Sequence, residues 1–174
     1  TLGENTEKVL TFQSCSKTYA MTGWRIGYTA GNANVIKAMG KLQGQSTSCP
    51  NSIAQMAAIE ALTGDQSEVS RMRDVFKRRR DYIVNRLNNM SGIICDTPGG
   101  AFYVFPDFRP YMGNERQIKS SMDLSMYLLE NKAVVTVAGS AFGSDNNVRF
   151  SYAASDDHLE RAMDLVDESL KELV

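Results

Sequence analysis

Several residue types and patterns are scarce in this sequence, and each scarcity excludes a class of protein. No apolar run approaches the roughly 20 residues that span a bilayer, and no signal peptide is visible. The three cysteines, Cys15, Cys49 and Cys95, are odd in number, far apart and without the spacing of metal ligands. We therefore expect reduced thiols, no metal site, no membrane association and a cytoplasmic location. The single histidine, His158, falls in a predicted terminal helix and is expected at the surface.

The composition that remains is ordinary for a globular protein. Of 174 residues, 43% are hydrophobic and 22% charged, and the formal net charge is -1. Such a chain can bury a real core as one domain or two small ones. The basic run at residues 77–80 lies between Asp74 and Asp81, so we interpret it as a solvated helix face. With a negative net charge, no nucleic-acid partner is expected.

The most informative segment reads Ser-Cys-Ser-Lys-Thr-Tyr-Ala-Met-Thr-Gly-Trp-Arg-Ile-Gly-Tyr over residues 14–28. A free lysine has a pKa of about 10.4, so Lys17 needs desolvation or a neighbouring cation to act as a nucleophile near neutral pH. Arg25 can supply that cation and can also bind phosphate oxygens, and the hydroxyls of Ser14 and Ser16 can donate to the same phosphate. By residue chemistry alone, however, a lysine and an arginine in such a turn are more often solvated surface charges.

Hydrophobic periodicity predicts alternating strands and helices. A short strand at 9–12 leads into the serine-rich turn, where ligand sites of open α/β sheets gather. A stripe of apolar residues three, four and seven apart predicts a long amphipathic helix at 67–90. The helix at 53–62 is apolar on almost every face and is expected to be buried. The other predicted elements are strands at 26–31, 133–137 and 147–152, and helices at 34–42, at 121–131 and from Ser155 onward.

A second candidate residue, Arg149, lies in a predicted strand. Alternation puts Val148 and Phe150 on one face of that strand and Arg149 on the other. A guanidinium there can form a surface ion pair, or it can bind a carboxylate through two parallel hydrogen bonds. The residues alone leave both alternatives open.

These motifs together resemble a known family. The pattern Ser-x-x-Lys followed by Gly-Trp-Arg-x-Gly, and Asn-Val-Arg-Phe-Ser-Tyr-Ala at 147–153, are similar to those of class I pyridoxal-phosphate aminotransferases of the bacterial aspartate aminotransferase type. Residues 45–51 with Gln55 resemble the loop that lies against the partner subunit's active site. Residues 98–103 resemble the small-domain strand that faces the substrate. Residues 137–143 resemble a turn that usually has proline where Ala138 stands, a change that affects loop stiffness.

The resemblance implies an α/β fold: the end of a large pyridoxal-phosphate-binding α/β domain, followed by the small C-terminal α/β domain of a fold type I aminotransferase. The expected division is 1–66 for the large-domain part, 67–90 for an interdomain helix and 91–174 for the small domain. Because the chain opens on Thr1 and the cofactor lysine would stand at position 17, we expect a C-terminal piece of a longer enzyme.

The resemblance also assigns roles to residues. Lys17 would form a Schiff base with pyridoxal 5'-phosphate and act as the catalytic residue, while Ser14, Ser16 and Arg25 would bind the cofactor. Arg149 would bind the α-carboxylate of the substrate. The implied reaction moves an amino group from an amino acid, aspartate first, to a 2-oxo acid, 2-oxoglutarate first, in a homodimer. The family's residues on the cofactor ring lie upstream of the part matched here, so this chain alone is expected to be inactive.

Three alternatives stay open. The same fold also supports other Schiff-base reactions, such as β-elimination by a lyase or ring formation by a synthase. A second alternative is the effector-sensing domain of a transcription regulator built on this fold, which a DNA-binding segment upstream would favour. The third is a small oligomerising module without a cofactor.

Overall fold

The computed structural model describes residues 8–113 and 118–173, in which helices and short strands alternate. The chain divides into two compact units, Thr1–Arg71 and Met72–Val174. The mixture of elements agrees with the α/β class predicted from the sequence, whereas the three-part division into 1–66, 67–90 and 91–174 stays a prediction. Within the described residues, no helix combines the length and the apolar character that crossing a membrane requires.

The first unit is built around one antiparallel strand pair. Strand β1 (Thr11–Ser14) pairs with β2 (Gly27–Ala30) over four residues, with Ser14 opposite Gly27. Two of its helices, α2 (Ala33–Ser46) and α3 (Ser52–Thr63), begin at asparagine caps, because the side chains of Asn32 and Asn51 accept hydrogen bonds from amides of the first turn. The elements are β1 (Thr11–Ser14), α1 (Cys15–Thr18), a 3₁₀ turn (Thr22–Trp24), β2 (Gly27–Ala30), α2 (Ala33–Ser46) and α3 (Ser52–Thr63).

Helix α3 corrects one expectation from the sequence. It was expected to be buried on nearly all sides, but Ile53, Met56 and Ile59 are 54–68% exposed. Only Ala54 and Ala58 of this helix are buried. The physical reason is the small size of the local core. Ala58 packs against few buried residues in this unit, so only one side of the apolar helix is covered and the other sides stay exposed.

The second unit has a larger core between helices and a small sheet. Its three strands are antiparallel in the order β3-β5-β4. Helix α6 begins at Ser155, as predicted, and its apolar stripe is buried. The elements are α4 (Ser67–Asn88, which begins in the first unit), β3 (Tyr103–Val104), a 3₁₀ turn (Arg109–Tyr111), α5 (Ser121–Lys132), β4 (Val137–Ala138), a 3₁₀ turn (Gly139–Phe142), β5 (Val148–Ser151) and α6 (Asp156–Lys171).

Strand β4 is shorter than the predicted strand at 133–137. Ala133 takes a left-handed conformation with φ 54°, and its amide donates to the Leu129 carbonyl, so it ends α5 instead of starting a strand. The amide of Val134 is likewise used by the Leu128 carbonyl. Ala133 and Val134, the first residues of the predicted strand, are therefore hydrogen-bonded to the end of helix α5.

Ion pairs join α4 to α6 across the surface of the second unit. Arg78 and Arg79 both contact the Asp156 carboxylate at 2.6 Å, and Arg86 contacts Asp164 at 2.6 Å. The side chain of Arg79 is only 21% exposed. In the basic run at 77–80, Lys77 and Arg78 are therefore exposed as predicted, whereas Arg79 is partly buried between the two helices.

Asp156 gives a testable consequence for stability. Hydrogen bonds from Arg79 and Arg78 lower the pKa of its carboxyl below the ordinary value. Its contribution to stability is therefore present above the unfolded-state pKa of about 3.9 and is lost as the pH falls through the lower, folded-state pKa. We expect Asp156→Asn to lower the melting temperature at pH 7 and to flatten its fall below about pH 4.

The matched control is Asp157→Asn, in the same first turn of α6. Asp157 makes no ion pair with the described residues, so this change removes a charge near the helix N-terminus without breaking a link to α4. Melting curves between pH 2 and pH 8 measure both. An equal loss of melting temperature in the two variants would show that the arginine pairs add no stability beyond the interaction of the charge with the helix dipole.

Candidate active site

The turn that follows β1 brings three of the predicted site residues together. Ser14 ends the strand and caps α1, its hydroxyl oxygen accepting the Ser16 amide at 3.1 Å. Lys17 follows on the same short helix with an exposed side chain. Between them Cys15 is only 1% exposed, and its amide donates to the Ile26 carbonyl at 3.3 Å. The buried cysteine thus fixes a backbone from which Ser14, Ser16 and Lys17 extend.

Gly27 allows β2 to lie close to this turn. A Cβ placed on Gly27 would lie 2.5 Å from the Gln13 carbonyl oxygen and 3.4 Å from the Ser14 Cα. Both atoms belong to the backbone of β1 and cannot move aside without shifting the strand. The glycine that ends the Gly-Trp-Arg-x-Gly pattern is therefore required by the strand pairing that holds Ser14 in place.

Arg25 occupies an uncommon backbone conformation. It ends the 3₁₀ turn with φ 52° and ψ 50°, in the left-handed region that non-glycine residues rarely adopt. Its Nη1 donates a hydrogen bond to the Thr22 carbonyl at 2.9 Å, so the side chain is bonded to the first residue of the turn. The guanidinium itself is exposed. Such local strain persists only where surrounding contacts enforce it and is frequent at ligand sites.

A hollow of about 560 Å³ lies next to Arg25 in the first unit. Asn51, the cap of α3 and the last residue of the loop at 45–51, lines the same hollow. Its wall therefore combines a guanidinium with polar and small apolar groups. The other lining residues are Ala20, Gly23, Trp24, Ile53 and Ala54.

Arg149 lies on the central strand of the second unit. Val148 and Phe150 on either side of it are buried, at 0% and 4% exposure, while Arg149 is half-buried on the opposite face. Its guanidinium carbon lies 4.3 Å from the centre of the Tyr103 ring and 4.6 Å from that of Phe142. Across residues 8–113 and 118–173, no carboxylate forms an ion pair with Arg149. The predicted alternation is thus confirmed.

The two rings beside Arg149 are what the sequence reasoning missed. Tyr103 and Phe142 belong to the segments 98–103 and 137–143. Both segments resemble those of the family, but the sequence assigned no role to either ring. Tyr103 is on β3, next to β5, whereas Phe142 ends the 3₁₀ turn after β4. Only the strand order brings the two rings to one arginine. His158 is exposed on α6, as predicted.

Comparison with known proteins identifies the family of this chain. The family model for aminotransferase class I and II matches residues 1–166. A probable aspartate/prephenate aminotransferase of Rhizobium leguminosarum bv. phaseoli is 47% identical over 160 residues, which are 90% of this chain and 40% of that protein. The crystal structure of the aspartate aminotransferase of Rhizobium meliloti superposes with a TM-score of 0.90 at 42% identity, covering 95% of this chain and 42% of that one.

A third similar protein is the aspartate aminotransferase of Thermus thermophilus, solved with maleate. Its TM-score is 0.86 at 37% identity, over 94% of this chain and 42% of that one. The chain belongs to the aminotransferase class I and II family, which confirms the resemblance and the predicted fold class. It spans about 40% of the length of the curated relatives it matches.

The role of Gly27 can be tested by one added methyl group. We expect Gly27→Ala to lower the free energy of unfolding by about 1–3 kcal/mol, because the Cβ meets backbone and not a flexible side chain. Chemical denaturation measures the loss. The matched control is Gly40→Ala within α2, where a Cβ meets nothing within 4 Å and alanine favours the helix. A neutral Gly27→Ala would contradict the close approach of β2 to β1.

Proposed function

We propose that the protein containing this chain is an aminotransferase that moves an amino group between an amino acid and a 2-oxo acid. One observation carries the proposal: in a chain of this family, Lys17 stands directly after a strand end that also presents Ser14 and Ser16. The names of the similar proteins are those of aminotransferases, which favours transamination over a lyase, a synthase or an effector-sensing domain.

The chemistry of the side chains between Ser14 and Arg25 suits pyridoxal 5'-phosphate. This segment offers two serine hydroxyls, an amine and a guanidinium, and it contains no carboxylate. Such a donor set favours a phosphate dianion. In our proposal, Ser14, Ser16 and Arg25 bind the cofactor's phosphate and Lys17 holds its aldehyde. When bound, the cofactor supplies an electron-withdrawing ring that acidifies the proton on the substrate Cα.

Lys17 has a second role in this proposal. Its Nζ would also take the proton from the substrate Cα and hold it during the reaction, as a general base and then a general acid. A positioned general acid and base of this kind typically contributes about 10²–10⁴-fold in rate.

Arg149 binds the α-carboxylate of the amino acid and of the 2-oxo acid in this proposal. The half-buried guanidinium has aromatic neighbours and no carboxylate partner among the described residues, so its N–H groups can meet a ligand's two oxygens. Each charge-assisted hydrogen bond contributes roughly 1.5–3 kcal/mol. A lysine at this position would keep the charge but lose the paired geometry.

Aspartate and 2-oxoglutarate are the substrates we propose first. The names of the relatives support aspartate, and maleate, bound by the Thermus thermophilus enzyme, is a four-carbon dicarboxylate like aspartate. Prephenate is a second acceptor to test, because the name of the Rhizobium leguminosarum relative includes it. We further propose a homodimer in which residues 45–51 and Gln55 face the partner subunit. A cytoplasmic location stays a prediction.

Substitutions in the full-length protein test the assignment. We expect Lys17→Ala to lower kcat by about 10²–10⁴-fold or more, since it removes both the cofactor link and the proton carrier. Arg149→Lys should raise KM for both substrates by about tenfold or more, because the paired hydrogen bonds are lost. Steady-state assays with aspartate and 2-oxoglutarate, then with prephenate, measure both effects.

The controls are conservative changes at exposed sites. Lys37→Ala on α2 and Arg161→Lys on α6 remove or alter exposed charges outside the proposed site and should leave kcat and KM unchanged. Full activity of Lys17→Ala would overturn the proposed function. If Lys17→Ala is inactive and Arg149→Lys is unaffected, only the role of Arg149 is rejected.

The 174-residue chain by itself provides a separate prediction. We expect no transaminase activity from it, because it spans only about 40% of the length of the relatives it matches. Incubation with pyridoxal phosphate, borohydride reduction and peptide mass analysis would measure labelling at Lys17. Weak labelling without saturation is expected, whereas efficient, saturable labelling of Lys17 would show that this segment forms the cofactor site unaided.

A further inference from the structure

Two aromatic rings approach Arg149 from the two flanks of its strand. Tyr103 comes from β3 on one side of β5, and Phe142 follows β4 on the other. Their ring centres lie 4.3 Å and 4.6 Å from the guanidinium carbon, well within the roughly 6 Å over which a cation and a ring attract. Among the residues that the structure describes, the guanidinium is therefore held by rings and by no opposite charge.

These rings contribute little to the hydrophobic core of the second unit. Phe142 is 49% exposed, and Tyr103 is half-buried at the edge of the sheet. Neither belongs to the buried cluster that includes Val148 and Phe150. Phe105, which is 38% exposed, packs edge-on against Phe142, with ring centres 5.9 Å apart. Burial in the core therefore does not explain why Tyr103 and Phe142 lie at this guanidinium.

The turn that presents Phe142 is rigidly built. The Ser121 hydroxyl donates to the Asp145 carboxylate at 2.6 Å and accepts the Ser140 amide at 3.1 Å. A Cβ on Gly139 would overlap the backbone carbonyl oxygens of Ser144 and Asn147, so this position admits only glycine without a shift. The ring of Phe142 is thereby placed by backbone constraints and not by its own burial.

The physical effect of the rings is to limit where Arg149 can point. A long arginine side chain loses considerable rotamer freedom when it binds a ligand, and packing against flat rings removes that freedom beforehand. The rings also replace part of the water around a weakly hydrated guanidinium. Since rings cover its carbon centre, the N–H groups at the edge remain for two parallel hydrogen bonds to a carboxylate.

We propose that Phe142 and Tyr103 are positioning residues that pre-organise Arg149 for the α-carboxylate of the substrate. This inference rests on the proposed function, because it assumes that Arg149 binds that carboxylate. Phe142 is the more informative of the two, since its exposed ring contacts the guanidinium while adding little to the core. The aromatic pair thereby sets how tightly amino acid and 2-oxo acid bind, through Arg149 and not by direct contact.

The test uses the full-length protein and the variants Phe142→Leu, Arg149→Lys and the double variant. We expect Phe142→Leu to raise KM for aspartate and for 2-oxoglutarate by about 2- to 30-fold, the range of a cation–π contact, with a smaller change in kcat. In the Arg149→Lys background the same change should cost much less, because the guanidinium it positions is gone. Phe142→Tyr, which keeps a ring, should restore most of the loss.

Phe105→Leu is the matched control, since its ring contacts Phe142 and lies one ring away from the guanidinium. It should change KM by less than about twofold. A general loosening of the sheet would instead lower the melting temperature and kcat in both leucine variants and add fully to Arg149→Lys, which would overturn the inference. An unchanged KM in Phe142→Leu would overturn it too. Full activity of the Lys17→Ala variant is a separate result, which would overturn the proposed function on which this inference rests.

Discussion

Burial of a neighbouring residue fixes the position of the functional side chain beside it, and both units depend on this constraint. Cys15 is buried between Ser14 and Ser16, and Val148 and Phe150 are buried on either side of Arg149. A residue packed on all sides cannot rotate, so the next residue along the backbone must point in a set direction. Polar groups that would be mobile on a free loop are thus displayed from immobile backbone.

Electrostatics supports this arrangement differently in the two units. The segment from Ser14 to Arg25 contains hydroxyls and cations but no carboxylate, and the side chain of Arg25 donates a hydrogen bond to the Thr22 carbonyl. In the second unit, aromatic rings hold the charge of Arg149. Arginines of α4 are instead paired with carboxylates, as Arg79 is with Asp156 and Arg86 with Asp164. The contrast separates arginines that link α4 to α6 from Arg149, which has no carboxylate partner among the described residues.

Local pattern predicted much of this architecture. The apolar stripe of α6, its Ser155 cap and the strand that carries Arg149 all follow from spacing, because period and capping depend on residues close together in the chain. The extent of β4 did not follow, since the end of α5 uses the amides at 133 and 134. Nor did the exposure of α3, because an all-apolar helix shows its composition but not how much of the chain is available to cover it.

The sequence by itself determined the chemistry at issue: a lysine with two serines and an arginine at a strand end, and a second arginine on an alternating strand. These are properties of neighbours in the chain, and the spacing preserves them. Only the tertiary structure decided that Gly27 must be small, that Arg79 reaches Asp156 across 77 positions, and that Tyr103 and Phe142 meet at Arg149. Each of these depends on which strands and helices lie side by side, and residues far apart in a chain leave no local pattern of that choice.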